Sequence, residues 1–154
     1  MRKVYSPFFE QHIFSQYNIR VHIDIHELPT KTLLAPFLAL IKSPFSTGPI
    51  AYTILSSLHT FFIYGLIKPE SPEFRSTLVE LCDALSHLRF EGSDPTADEA
   101  VSLRLLSVIE VVMSSPTGDY LGDVEVCEML EAVLTICCQM RRGGTLETLA
   151  WGIF

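Results

Sequence analysis

The sequence predicts an all-α fold: an armadillo- or HEAT-like helical solenoid of antiparallel helix hairpins. Three observations predict it. Apolar residues recur at helical spacing in five stretches of about 12 to 20 residues, turns rich in Pro and Gly separate those stretches, and several are apolar on more than one face. In an up-down bundle each helix buries a single stripe. In a stacked solenoid the inner helices are sandwiched, and the ends stay adhesive unless capped. The chain shows no spacing of a named repeat family, which suits degenerate armadillo or HEAT-type helices.

The elements follow in order. Residues 1–28 are a poorly defined N-terminal segment. Val21, Ile23 and Ile25 alternate there with Arg20, His22, Asp24 and His26, a strand period too short and isolated to found a sheet. The helical domain occupies residues 29–154. Its first helix carries Leu33, Leu34, Phe37, Leu38, Leu40 and Ile41, with Thr30 as a cap and Pro36 as an alternative start of the regular part. Ser43-Pro44 ends it. Thr47-Gly48-Pro49 restarts the chain into a second helix with a body at residues 50–67, stopped by Lys68-Pro69. The third helix spans about residues 73–89. Phe74, Leu78, Leu81, Leu85 and Leu88 step by 4, 3, 4 and 3, one face of a 3.6-residue repeat, and Gly92 breaks it.

Asp94 caps the fourth helix and Pro95 opens it, with Asp98 and Glu99 at the positive end of its dipole. Between Val101 and Met113 its only charges are Arg104 and Glu110, so the helix is expected to be buried on two sides. The turn Ser115-Pro116-Thr117-Gly118 leads to a fifth helix, capped by Asp123 and running to about residue 141. Its expected core face is Val126, Leu130, Val133, Cys137 and Met140, and Glu125, Glu128 and Glu131 form an acidic ridge, read as a solvated face. Gly143-Gly144 ends it, and a short helical turn follows from Thr145.

Composition narrows the functions. Hydrophobic residues make up 48% and charged residues 19% of the 154, a greasy balance that points either to faces docking on something else or to a piece cut from a longer protein. The net charge is −7 and the 11 Lys and Arg are scattered, which excludes nucleic acid as a partner. Cys82, Cys127, Cys137 and Cys138 form no CxxC pair and read as buried free thiols in a reducing compartment, facing apolar neighbours. The N-terminus lacks the apolar core of a secretory signal. Residues 43–67 contain no Asp, Glu, Lys or Arg, but Pro44, Gly48, Pro49 and a hydroxyl-bearing side make a buried helix the reading, with a small membrane-inserted protein the weaker alternative.

Candidate chemistry is sparse. His22, Asp24 and His26 would share one side of a strand, as metal ligands must, but they lack further ligands and read as a polar face. Ser57, His59 and Asp83 have no nucleophile elbow and no shared helix side. No phosphate-binding glycine loop occurs. The chain thus reads as an interaction module without catalytic, cofactor or metal residues.

Four segments carry a resemblance: Pro36-Phe37-Leu38-Ala39-Leu40-Ile41-Lys42-Ser43, Thr47-Gly48-Pro49-Ile50, the stretch from Arg89-Phe90-Glu91-Gly92-Ser93-Asp94-Pro95 to Val101, and Val126-Cys127-Glu128-Met129 with Ile136-Cys137. In order and spacing they resemble the N-terminal dimerisation and cyclophilin-binding (DCB) domain of the large Sec7-type Arf guanine-nucleotide exchange factors, in the Golgi brefeldin-resistant group that includes GNOM. The resemblance covers residues 33–141. It implies an armadillo-like regulatory domain that associates with itself and with a neighbouring regulatory domain, with cyclophilin as a further partner. It implies a cytoplasmic, Golgi-associated protein that is peripheral to the membrane at most, and it places the exchange reaction in a Sec7 domain outside this chain. The implied self-association contact lies around Thr60, Asp98 and Glu99. The family commonly has Lys where this chain has Thr60, so a Thr60–Glu99 ion pair cannot form. Residues 1–28 depart from the family's opening helices, and Gly143-Gly144 interrupts where the family continues. A stand-alone helical adaptor with an unrelated partner is the alternative.

Overall fold

The computed structural model describes residues 25–90 and 95–142. Among them a 3-10 turn at Ile25–Glu27 precedes α1 (Thr30–Ile41), α2 (Gly48–Ile63), α3 (Phe74–Ser86) and α4 (Pro95–Ser114), and a second 3-10 turn at Pro116–Tyr120 leads to α5 (Asp123–Arg142). No strand occurs among the described residues, and the helical fold read from the periodicity stands.

Packing follows alternation rather than sequence order. α2 packs most extensively on α4, α1 on α3, and α3 on α5, with α1 also against α2 and α4 against α5. Two layers result, α1/α3/α5 and α2/α4. Contact registers give the directions. Thr30 meets Lys68 just beyond α2, and Phe37 meets Phe61 edge to face at 5.2 Å, so α1 and α2 are antiparallel. Lys31 pairs with Glu73 and Lys42 with Glu80, so α1 and α3 are parallel. Gly48 lies by Asp98 and Val101, and Tyr52 by Arg104, so α2 and α4 are parallel. Parallel packing of every second helix is solenoid geometry, not that of an up-down bundle. The core runs between the layers through Leu55, Leu58, Leu81, Leu85, Val108 and Val112, none more than 0% exposed.

The helix ends depart from the expected ones for local reasons. α1 starts at Thr30 and runs through Pro36. Pro36 removes one intrahelical donor, yet Leu33 and Leu34, each 1% exposed, pin the preceding turn to the core. Thr30 is no cap. It is buried, its N–H donates to Ser71 Oγ (2.8 Å), and its Oγ1 accepts the Lys68 N–H (3.2 Å), so it ties α1 to the α2–α3 connection. α2 stops at Ile63 rather than at residue 67, because Gly65 takes the left-handed conformation (φ +63°). Leu66 N–H then bonds Phe61 O (2.9 Å) and Gly65 N–H bonds Phe62 O (3.1 Å), a Schellman ending with Leu66 buried beneath it. α3 ends at Ser86, well before Gly92. Its N-cap is Glu73, a non-glycine at φ +58°, whose carbonyl accepts the Thr77 N–H (3.0 Å) and the Ser76 and Thr77 hydroxyls (2.9 Å each). Asp123 is the first residue of α5, not its cap. Glu125 reaches back to the Gly122 N–H (2.8 Å), the Glu half of a capping box. The cap expected from Asp94 lies outside the described residues.

Candidate protein-interaction face

The outer side of the α2/α4 layer is built from an unusual helix. From Gly48 to Ile63, α2 contains no charged residue. One side, with Ala51, Ile54, Leu55, Leu58, Phe61 and Phe62, is buried. The other exposes Ile50, Tyr52, Thr53, Thr60 and Ile63, with Ser56, Ser57 and His59 half-buried. Three of its hydroxyls turn back on the backbone, Ser56 not among them: Thr53 donates to Pro49 O (2.9 Å), Ser57 to Thr53 O (2.9 Å) and Thr60 to Ser56 O (2.8 Å). α4 repeats the device with Ser102 to Asp98 O (3.0 Å) and Ser107 to Leu103 O (3.1 Å). A hydroxyl already bonded to its own helix loses little when water leaves, so this face is cheap to desolvate.

Arg104 joins the two helices. Its guanidinium lies 5.4 Å from the Tyr52 ring centroid and donates to the Tyr52 hydroxyl (3.3 Å), and this bond and charge together lower the phenol's pKa. Asp98 sits where α4 starts against the start of α2. Its Oδ1 is buried without a hydrogen-bond partner among the described residues, 3.5 Å from where a Cβ on Gly48 would stand. The bare backbone of Gly48 lets the carboxylate approach the positive end of the α2 dipole.

Asp98 and Glu99 therefore stand together on the first turn of α4, both half-buried. Thr60 is exposed twelve residues beyond Gly48, about 18 Å along a helix parallel to α4. The three residues belong to one layer, but within one chain Thr60 does not meet the other two. Sequence reasoning missed the Tyr52–Arg104 bridge and the exposed Ile63, Tyr64 and Phe45, which are 61, 72 and 83% accessible. The visible signal was the uncharged run itself, read as a mark of burial only.

The remaining candidates dissolve. Ser57 is committed to Thr53 O, and Asp83 faces His87 on α3 (3.1 Å), so no triad assembles with His59. His22 and Asp24 lie outside the described residues, and no group of three metal-binding side chains occurs among those described. The acidic ridge is not one solvated face: Glu131 is exposed, while Glu125 and Glu128 are half-buried and act on Cys82 of α3. Nor are all the thiols buried. Cys82 is, and burial above all, then the charges of Glu125 and Glu128, push its pKa up to about 12. Cys137 is half-buried, and Cys127 and Cys138 are exposed, because the core face of α5, Met129, Ile136 and Met140 with Val133 packed beside them, is turned away from the predicted stripe, of which Met140 is buried and Leu130 is exposed. Among the described residues no helix is long and apolar enough to cross a membrane.

No protein-family profile matches the chain. Individual proteins do. An uncharacterised protein of Schizosaccharomyces pombe is 40% identical over 115 residues, 75% of this chain and 8% of that protein. The Golgi-specific brefeldin A-resistance guanine nucleotide exchange factor 1 homolog of Caenorhabditis elegans is 32% identical over 114 residues, 73% of this chain and 6% of its own length. ARF guanine-nucleotide exchange factor 2 of Saccharomyces cerevisiae is 29% identical over 127 residues, 82% of this chain and 9% of its own length. The chain thus spans less than a tenth of these relatives. Over some three quarters of its residues it is a homologue of one segment of the large Golgi-type ARF guanine-nucleotide exchange factors.

Proposed function

We propose that this chain is a non-catalytic regulatory and self-association module of an Arf exchange factor acting in Golgi vesicle traffic, and that the outer α2/α4 face makes the self-contact. The observation that carries the reading is α2: a sixteen-residue helix with no charge, exposed apolar side chains and three hydroxyls already bonded to the backbone. Covering α2 gains apolar contact with no charge of that helix to strand. A symmetric contact between two copies is the commonest cover. The neighbouring regulatory domain of the same exchange factor is the second partner. Thr60 and the Asp98–Glu99 turn mark the two ends of the contact. With Thr60 uncharged, the contact is apolar in character and weakly sensitive to salt.

Sedimentation equilibrium at low and high salt tests this. The expected result is a dimer at tens of micromolar, weakened by Ile63→Asp and little changed by salt. A monomer in both salts would sink the self-association. A dimer that salt dissociates would assign the contact to charges instead. The module is also expected to leave nucleotide exchange on Arf at its background rate, and acceleration by the purified chain would refute the non-catalytic reading.

A further inference from the structure

The side of α5 that faces away from the core carries a seam of its own. Val124, Cys127, Glu131, Leu134 and Cys138 recur at steps of 3, 4, 3 and 4, and all five are exposed. Val124 and Leu134 are each 66% accessible. At about 100° per residue, the five centre about 180° from Met129, Ile136 and Met140, which pack on the core. Alternating steps of 3 and 4 are the spacing with which one helix meets another along its length. In the same register Asp123 stands at the start of the seam, and the Arg141 and Arg142 positions stand at its end.

Charge complementarity selects the partner and its direction. Asp123, Glu125, Glu128 and Glu131 all lie in the first half of α5, residues 132–140 carry no charge, and the basic positions 141 and 142 close the helix. A second copy laid parallel sets acid against acid. Laid antiparallel, it sets each acidic start against the basic end of the other. One register then aligns the two seams along their whole length. Asp123 meets position 142 of the second copy, Val124 meets position 141, Cys127 meets Cys138 and Glu131 meets Leu134, over about 26 Å of helix. We propose that α5 pairs antiparallel with α5 of a second copy in this register. The contact lies on the α1/α3/α5 layer and does not rest on the self-association of the α2/α4 face. Glu131 is the one charge inside the seam, and its two copies flank the two-fold axis on adjacent levels. Their repulsion keeps the contact weak.

The thiols report on it. Within one chain Cys127 and Cys138 stand about 17 Å apart along α5. A disulfide needs its Cα atoms within about 7 Å, so a Cys127–Cys138 bond joins two chains. The Ile63→Asp chain, with the α2/α4 contact disabled, is treated with diamide, which takes the two thiol hydrogens as the S–S bond forms. Linked peptides are then mapped by mass. Cys127–Cys138 links are expected to exceed Cys127–Cys127 and Cys138–Cys138 links at least about tenfold. Like-with-like links, an even mixture or no links overturn the proposal. Buried Cys82 enters no link while the chain stays folded, and if it does, sedimentation equilibrium decides. Glu131→Leu in the same background is expected to tighten association about tenfold, because the repulsion goes and the seam closes. Association that Glu131→Leu leaves unchanged or weakens also overturns the pairing. Either failure leaves the α2/α4 reading standing, since Ile63→Asp removes that contact beforehand.

Discussion

The two layers differ on their outer faces far more than inside. α1 and α3 with their cap residues expose Lys31, Lys42, Glu73, Arg75, Glu80, Asp83 and His87, and the Lys31–Glu73 and Lys42–Glu80 pairs run between them. The Glu73 hydrogen bond and charge raise the Lys31 pKa, so this ammonium is well placed where it is. Covering that face would strip water from many charges. α2 offers the opposite, a helix with no charge to desolvate. The α1–α3 face is built to stay wet and the α2 face to be covered, although the same alternating packing produced both. The difference teaches that docking capacity here lies in what the exposed positions omit.

The comparison breaks first if the interiors are unequal. Leu58 under α2 and Leu81 under α3 are both 0% exposed. Truncating either to Ala is expected to cost about 3 kcal/mol by urea denaturation, because each leaves a cavity among packed neighbours. Thr60→Ala, on the outside of α2, is expected to stay within about 0.5 kcal/mol. A small loss at Leu58 with a large one at Leu81 would mean that α2 is held by its external partner rather than by the core.

The chain crosses from the α2/α4 layer to the α1/α3/α5 layer twice, and each crossing uses a glycine differently. After α4, a Cβ on Gly118 would stand 2.3 Å from the Met113 carbonyl oxygen, which is backbone and cannot swing aside. Gly118→Ala is expected to cost about 2 kcal/mol as α4 and the 3-10 turn separate. After α2, Gly65 has nothing within 4 Å of its would-be Cβ, only φ +63°. Gly65→Ala therefore meets strain without a clash, expected at about 1 kcal/mol. Thermal unfolding of the two variants ranks them, and the reverse order would show that the left-handed ending matters more than the close approach.

How much of this was legible in the sequence depended on whether the signal was periodic. Helix number and the starts of α4 and α5 followed from apolar spacing and Pro95. The end of α2 did not, because Gly65 sits inside an apolar run that continues through Leu66 and Ile67, and both are buried although neither is helical. The core face of α5 was misassigned in part, with Met140 and Val133 placed rightly and Leu130 wrongly, for the converse reason. With two apolar stripes on one helix, periodicity alone cannot say which one packs, and only the contact with α3 and α4 selects Met129, Ile136 and Met140. The candidate face was half legible: the uncharged run stood in plain sight, but the Tyr52–Arg104 bridge needs the parallel register of α2 and α4, which no periodicity shows.

The smallest expected effect lies on the charged layer. Lys42 Nζ stands 2.9 Å from Glu80 Oε1, with both side chains roughly half exposed, at 42 and 48%. At that exposure water screens the attraction, and ordering two long side chains offsets much of what remains. Lys42→Ala or Glu80→Ala is expected to cost no more than about 0.5 kcal/mol, and the double variant little more than either alone. Molar salt should erase even that, since the screening length falls to about 3 Å. A double-mutant cycle by denaturant midpoint, run at low and high salt, measures the coupling. A coupling above about 1 kcal/mol that survives salt would mean the pair is shielded from water, and the α1/α3 face would then count as a docking surface in its own right.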